Sequence, residues 1–259
     1  MYELPKLFKR FRTEEASTLT KQGVIPYINI NPELLSRPDL SLRIGDISNG
    51  KHDKFIKENA KGAAEFGKQY GGFFITTMEE SNGYWYYWGQ NSNFIPAWRH
   101  IWQVFEDQGA NQYATWVWEP FCLEPSARFD IARMQEPERY YPGDKYVDWI
   151  GLSAFSRKGS HGDGMLFGHL IGRSLPEMRK NHPDKPIMQA ETGKSQMWDQ
   201  PRWLVDAYKT IKSMPELKAV IYWDNVTTIS VPPDDKTLSD KSLQTMKEIF
   251  KDPYWIMAK

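Results

Sequence analysis

Gly72-Phe73-Phe74-Ile75-Thr76-Thr77-Met78-Glu79-Glu80-Ser81-Asn82-Gly83 is the stretch on which the reading of this chain turns. A short run rich in aromatic and β-branched residues gives way to two carboxylates and an amide. A strand that delivers functional side chains from its C-terminal end has this layout. Five further runs share it: Gly23-Val24-Ile25-Pro26-Tyr27-Ile28-Asn29, Tyr113-Ala114-Thr115-Trp116-Val117-Trp118, Val147-Asp148-Trp149-Ile150-Gly151-Leu152, Pro186-Ile187-Met188-Gln189-Ala190 and Ala219-Val220-Ile221-Tyr222-Trp223. Between them lie amphipathic stretches near 53–69, 94–108, 165–181, 201–213 and 239–251. Phe55, Ile56, Ala60, Ala63, Ala64 and Phe66 show the helical spacing well. Strands alternating with helices predict an α/β fold with a parallel sheet. The length of 259 residues suits one eight-stranded (β/α) barrel, although length alone also permits two small domains. No Gly-, Ser- or Pro-rich linker and no short repeat divides the chain, so residues 1–259 are read as a single (β/α)-barrel domain.

Composition narrows the partner. Thirty-three basic residues balance thirty-three acidic ones, so no global field attracts phosphate backbones or anionic lipid, and nucleic acid is not expected. Nowhere do eighteen apolar residues follow one another, so no membrane span is expected either. Eleven Trp residues and 14% aromatics exceed what a core of this size needs. Sugar rings stack their C–H faces on indoles, which makes a carbohydrate ligand the natural reading of that excess; packing of the core is the competing one. Cys122 stands alone and forms no intrachain disulfide. Residues 1–15 lack the apolar run of a signal peptide, which suits a cytoplasmic protein or a secreted one whose leader lies outside this sequence.

The chemistry-bearing residues gather after strands. Glu79-Glu80-Ser81-Asn82-Gly83, Glu119-Pro120 and Glu191-Thr192-Gly193 each follow an apolar run, and a barrel aims such positions at one mouth. Two carboxyl groups across a scissile bond are what glycoside hydrolysis usually requires, and Glu80 and Glu191 are the candidates. His52, His161, His169 and His182 show no metal-ligand spacing, and His100 beside Arg99 on a helix reads as structural. Ser153 and Ser156 occupy no nucleophile elbow, and the loop from Lys158 to Gly164 reads as a rim element and not as a phosphate cradle. Neither metal nor organic cofactor is called for.

One loop is more distinctive. Met78-Glu79-Glu80-Ser81-Asn82-Gly83-Tyr84-Trp85-Tyr86-Tyr87-Trp88-Gly89 crowds carboxylates, an amide and five large rings together. It resembles the acid/base loop of family-26 glycoside hydrolases, the β-mannanases, with Glu80 on the catalytic Glu and Asn82, Gly83, Trp85 and Trp88 on matching positions. The resemblance continues through Ala97-Trp98-Arg99-His100, Gly109-Ala110-Asn111, Thr115-Trp116-Val117-Trp118-Glu119-Pro120 and the segment from Tyr141 to Leu152. It ends with Lys185-Pro186-Ile187-Met188-Gln189-Ala190-Glu191-Thr192-Gly193, similar to the nucleophile strand, and Tyr222-Trp223-Asp224-Asn225, similar to the final strand, covering roughly residues 20–250.

What the resemblance implies is a retaining endo-hydrolase of β-1,4-mannan or a related β-glycan. Glu80 would be the acid/base, Glu191 the nucleophile, and Glu79, Asn82, Trp85, Trp88, Trp118 and Trp223 would contact substrate. A β-glucanase, a xylanase and a carbohydrate-binding pseudoenzyme are the alternatives. Three positions depart from the family pattern: Glu79 replaces a His, Phe155 stands where a Tyr often hydrogen-bonds the nucleophile, and Phe121 replaces an Asn. Glu79 is expected to raise the proton affinity of Glu80 if the two carboxylates face each other. The strand at 23–29 corresponds to the family's third. The barrel is thus expected to lack the first two of its eight strands, the gap being closed by the termini, by a second copy in a homodimer, or by chain outside this sequence.

Overall fold

The computed structural model describes residues 11–32, 44–123, 133–156, 165–196, 199–227 and 234–255. It divides into two compact units, the first comprising the chain up to Trp118 together with Pro137–Trp149, the second comprising 119–136 and the chain from Ile150 onward.

The first unit runs α1 (Thr13–Lys21), β1 (Tyr27–Asn29), α2 (Ile44–Ser48), α3 (Asp53–Tyr70), β2 (Phe73–Thr76), α4 (Phe94–Asp107) and β3 (Ala114–Trp118). Its strands pair in parallel, β1 with β2 and β2 with β3, with Ile28 opposite Ile75 and Ile75 opposite Trp116. α3 buries Ile56, Ala60, Ala63 and Phe66, the stripe expected from the sequence. Phe11 joins this face: its ring meets Phe66 and Phe73, and its N–H donates to Asn59 Oδ1 at 2.6 Å. α4 buries Phe94, Trp98, Ile101 and Phe105, and Trp98 and Phe105 both set their rings edge-on against Trp116 of β3. Such T-shaped contacts add about 0.5–1.5 kcal/mol each beyond area burial. Asp148 ties the end of this unit to β3, accepting from Trp116 N at 2.8 Å while its own N–H donates to Trp116 O.

The second unit runs β4 (Trp149–Ser156), α5 (Phe167–Ile171), α6 (Ser174–Asn181), β5 (Ile187–Lys194), α7 (Gln200–Lys212), β6 (Leu217–Tyr222), the short antiparallel pair β7 (Val226–Thr227) and β8 (Asp234–Asp235), and α8 (Asp240–Ile249). β5 pairs in parallel with β4 on one side and β6 on the other. Two helix starts are capped as their sequences suggest: Asp199 accepts from Arg202 N ahead of α7, and Ser239 from Ser242 N ahead of α8. The β4–β5 ladder carries a bulge. Leu152 faces Gln189 but Ser153 faces Glu191, so Ala190 is the extra residue.

All six expected strands are present, with adjusted limits. The first is shorter than 23–29, because Gly23, at φ 78, ends α1 by donating to Thr20 O and the strand proper starts only after Pro26. The fourth and fifth are longer: β4 continues through Ser156 and β5 through Lys194. Glu191 therefore lies within a strand and not just past one. Its backbone stays in register with Ser153, which a polar Glu-Thr-Gly sequence does not announce. The stretch at 165–181 forms two helices, parted at Gly172, where an added Cβ would lie 2.8 Å from Gly168 O.

Candidate active site

In the first unit the loop after β2 is held in an unusual conformation. Met78 and Glu80 both adopt positive φ, 51° and 53°, as does Gln90 at 55°. L-residues pay for that region, so something must hold them there. Several contacts do. Asn31 Oδ1 accepts from Met78 N, Trp88 Nε1 donates to Glu79 O at 2.7 Å, Gly83 N to Glu80 O at 2.9 Å, and Gln90 N to Ser81 O at 2.7 Å. Tyr86 stacks on Trp88 at 4.4 Å and Tyr87 meets the same indole edge-on. Two glycines are required for close approach: a Cβ on Gly89 would lie 2.1 Å from Gly83 O, and one on Gly83 would lie 2.4 Å from the Trp85 ring.

Glu80, 4% exposed, has its carboxylate met by Trp85 Nε1 at 2.5 Å. The indole N–H of Trp85 thus ties the Glu80 carboxylate to the aromatic face of its own loop. Glu79 turns the other way. Its Oε2 accepts from Asn29 Nδ2 at 2.9 Å and from Asn31 Nδ2, so it engages the C-terminal end of β1. That pair of asparagines was not singled out in the sequence, although both sit at a strand end. Asn82 is fully buried.

The expected aromatic contacts separate by exposure. Trp85 is half-buried, while Trp88 is enclosed by the loop and Trp118 is 0% exposed, packed edge-on against Tyr141. Trp88, 4% exposed, and Trp118 present little or no ring face at the surface and pack the loop and the core. The Tyr141 phenol is pushed well above its ordinary range by burial and by the Asp144 carboxylate, to which it donates at 2.6 Å.

In the second unit Glu191 is half-buried on β5. Trp223, 37% exposed, is anchored beside it, its N–H donating to Thr192 O at 2.7 Å. Two of the three departures from the family pattern lie near this strand: Phe155 stands opposite Gly193 on the β4–β5 ladder, and Phe121 bridges to Ser153, the residue opposite Glu191. Two lysines are buried in this unit, Lys194 at the end of β5 and Lys236 against Gly193, and neither stood out in the sequence. His100 pairs with Asp53 at 2.6 Å, as a structural residue would. Among the described residues no group of three His, Cys, Asp or Glu side chains is arranged to hold a metal, and no helix is long and apolar enough to cross a membrane. The loop from Lys158 to Gly164 lies outside the described residues.

Parallel strands alternating with helices, carboxylates at strand ends and aromatic loops define a (β/α)-barrel fold of the carbohydrate-active kind. Comparison with known proteins makes this specific: the family model for glycosyl hydrolase family 26 matches residues 51–190, more than half of the chain, and the chain belongs to that family. The match includes Glu80 and stops one residue before Glu191. Endoglucanase H of Acetivibrio thermocellus is 27% identical over 180 residues, 65% of this chain and 19% of that protein. Mannan endo-1,4-beta-mannosidase A and B of Caldalkalibacillus mannanilyticus is 28% identical over 88 residues, 30% of this chain and 15% of that protein. The chain thus spans less than a fifth of the length of either. Among solved structures, a Cellulomonas fimi endo-beta-1,4-mannanase double mutant superposes with TM-score 0.71 at 16% identity, covering 95% of this chain and 58% of that one. A GH26 beta-mannanase from Bacteroides ovatus gives 0.66 at 17%, covering 95% and 74%. These likenesses establish the barrel fold, with six parallel strands among the described residues.

Proposed function

We propose that this chain acts as a retaining endo-glycoside hydrolase on β-1,4-mannan or a related β-glycan, as a single catalytic domain. The observation that carries the reading is Glu80: it lies in the loop after β2 within the stretch matched by the family, is almost fully enclosed, and receives the Trp85 indole N–H on its carboxylate. In the first step Glu191 attacks the anomeric carbon, the glycosidic C–O bond breaks, and Glu80 gives its proton to the departing oxygen. In the second, water attacks the same carbon, Glu80 takes the water's proton, and the bond to Glu191 breaks with its electron pair returning to the carboxylate. Trp85 and Trp223 supply ring faces for the sugar. Likeness to mannanase structures supports mannan as substrate. Likeness to Endoglucanase H favours a second reading, a β-glucan on the same machinery.

A reducing-sugar assay over mannan, β-glucan and xylan, run beside a binding titration, tests the activity. Binding without turnover on every polymer would make the chain a pseudoenzyme. NMR of the first-formed sugar tests the mechanism, which expects retained configuration. Glu191→Ala is expected to lose turnover and to recover part of it with azide, as the glycosyl azide of opposite configuration. Glu80→Ala is expected to spare the first step for an activated aryl glycoside while losing the polysaccharide.

A further inference from the structure

Lys236 follows β8 and is 1% exposed, an uncommon state for a lysine. Its place on the ladder is defined by its neighbours. Ser153 faces Glu191 and Phe155 faces Gly193, and side chains two residues apart on a strand share a face. A Cβ built on Gly193 would lie 3.1 Å from Lys236 Cδ and 3.6 Å from its Cβ, so the lysine stem lies against the face of β5 that carries Glu191. The ammonium ends 5.2 Å from the centroid of the Phe155 ring. Same-face neighbours along a strand stand about 6.7 Å apart, so Glu191 occupies the next position on the face against which the lysine stem lies.

The backbone of Lys236 is fixed on both sides. Its N–H donates to Asn225 O at 3.1 Å, and its carbonyl accepts from the Tyr222 hydroxyl at 2.9 Å and from Gln200 Nε2 at 3.4 Å. The other buried lysine does not compete for this role. Lys194 is one residue out of phase with Gly193, and its Nζ donates to Ser156 Oγ at 2.8 Å, on the opposite face. Phe155 offers a ring face but no polar hydrogen. The described cation on the nucleophile's face is thus Lys236, and its enclosure keeps it from meeting a polymeric substrate directly.

We propose that Lys236 is a positioning residue for Glu191, its enclosed ammonium holding the carboxylate in place for attack and stabilising it as it departs. This rests on Glu191 being the nucleophile. The effect is unequal across the two steps. In the first, the cation favours the carboxylate over the ester and so adds little speed beyond alignment. In the second, negative charge returns to Glu191 as the bond to the anomeric carbon breaks, and a fixed cation lowers that barrel-side barrier.

The test uses the full chain with dinitrophenyl β-mannobioside, or the corresponding glycoside of whichever polymer the wild type cleaves. In Lys236→Met the second step becomes limiting. The expected result is a burst of one equivalent of dinitrophenol, a steady-state kcat lower by about tenfold or more, a KM that falls with it, and a glycosyl adduct on Glu191 by mass spectrometry. Lys236→Arg restores turnover without the burst. Should the Met variant fail to fold, Lys236→Gln carries the same measurement. Wild-type kcat and KM in the neutral variant would overturn the inference, as would a raised KM with unchanged kcat, which would assign the charge to substrate. A wild type that cleaves nothing and forms no adduct would instead refute the hydrolase reading, so the two failures are distinct.

Discussion

Replacing Glu79 by Leu and by Gln separates the loss of an acceptor from the loss of a charge. Asn29 Nδ2 and Asn31 Nδ2 converge on Glu79 Oε2. Neither amide is free to flip, because Asn29 Oδ1 accepts from Asn31 N at 3.0 Å and Asn31 Oδ1 accepts from Met78 N. Leu therefore leaves the buried Asn31 donor and the part-buried Asn29 donor unsatisfied, at about 1–3 kcal/mol for the first and less for the second, a total near 3 kcal/mol, partly offset because no charge is then buried. Gln with its Oε1 in the place of Oε2 keeps both contacts and forfeits only the charge assistance, about 1 kcal/mol. At roughly 2–4 °C per kcal/mol for a chain of this size, Glu79→Leu is expected to melt about 10 °C below wild type and Glu79→Gln only a few degrees below. Thermal unfolding followed by near-UV circular dichroism, where the loop tryptophans report, measures both. Equal losses in the two variants, or a Leu variant as stable as wild type, would show that the asparagine clamp does not hold Glu79 as described.

Gly89→Ala forces a methyl group onto Gly83 O and Tyr86 O, and backbone cannot yield as a side chain can. Overpacking of this kind costs about 1–3 kcal/mol, and the loop that carries Glu80 is expected to rearrange, with activity falling more than tenfold while most of the fold survives; full activity would contradict the packing. Asp252 is held down to about 2 by the Tyr208 hydroxyl, by Lys212 and by Tyr254 N. A depressed folded value means that its contribution to stability is present above the ordinary Asp range and lost as pH falls through about 2. The melting difference between wild type and Asp252→Asn is therefore expected at pH 7, should shrink as pH falls below about 4 and should vanish only below about 2, and a difference independent of pH would remove the ionic account.

The strand centres were legible because β-branched and aromatic runs bounded by glycine, proline or polar residues suit a buried parallel strand and little else. Glu80 was legible too, since the rings that fix its loop lie within ten residues of it. What escaped the sequence is tertiary. Nothing in Glu191-Thr192-Gly193 says that the strand continues through it, because that depends on what Ser153 to Ser156 do across the ladder. Lys236 lies in a polar stretch that reads as solvated, and its burial comes from contacts with Gly193 and Phe155 that are distant in sequence. The tryptophans misled in part. Trp88 and Trp118 look like Trp85 and Trp223 in the sequence, and only their enclosure assigns them to construction of the loop and core.

The extra residue at Ala190 changes how lesions in this strand are to be understood. Because Leu152 is opposite Gln189 and Ser153 opposite Glu191, the strand changes phase between those two pairs. Side chains alternate with a period of two, and the bulge is what lets Gln189 and Glu191, two residues apart, point to opposite surfaces of the sheet, each with its own partner on β4. Loss of Ala190 alone would leave Glu191 opposite Ser153 in a regular ladder, its carboxylate on the same surface. A relative that lacks one residue at this point would still carry the corresponding carboxylate on the surface that Glu191 faces here.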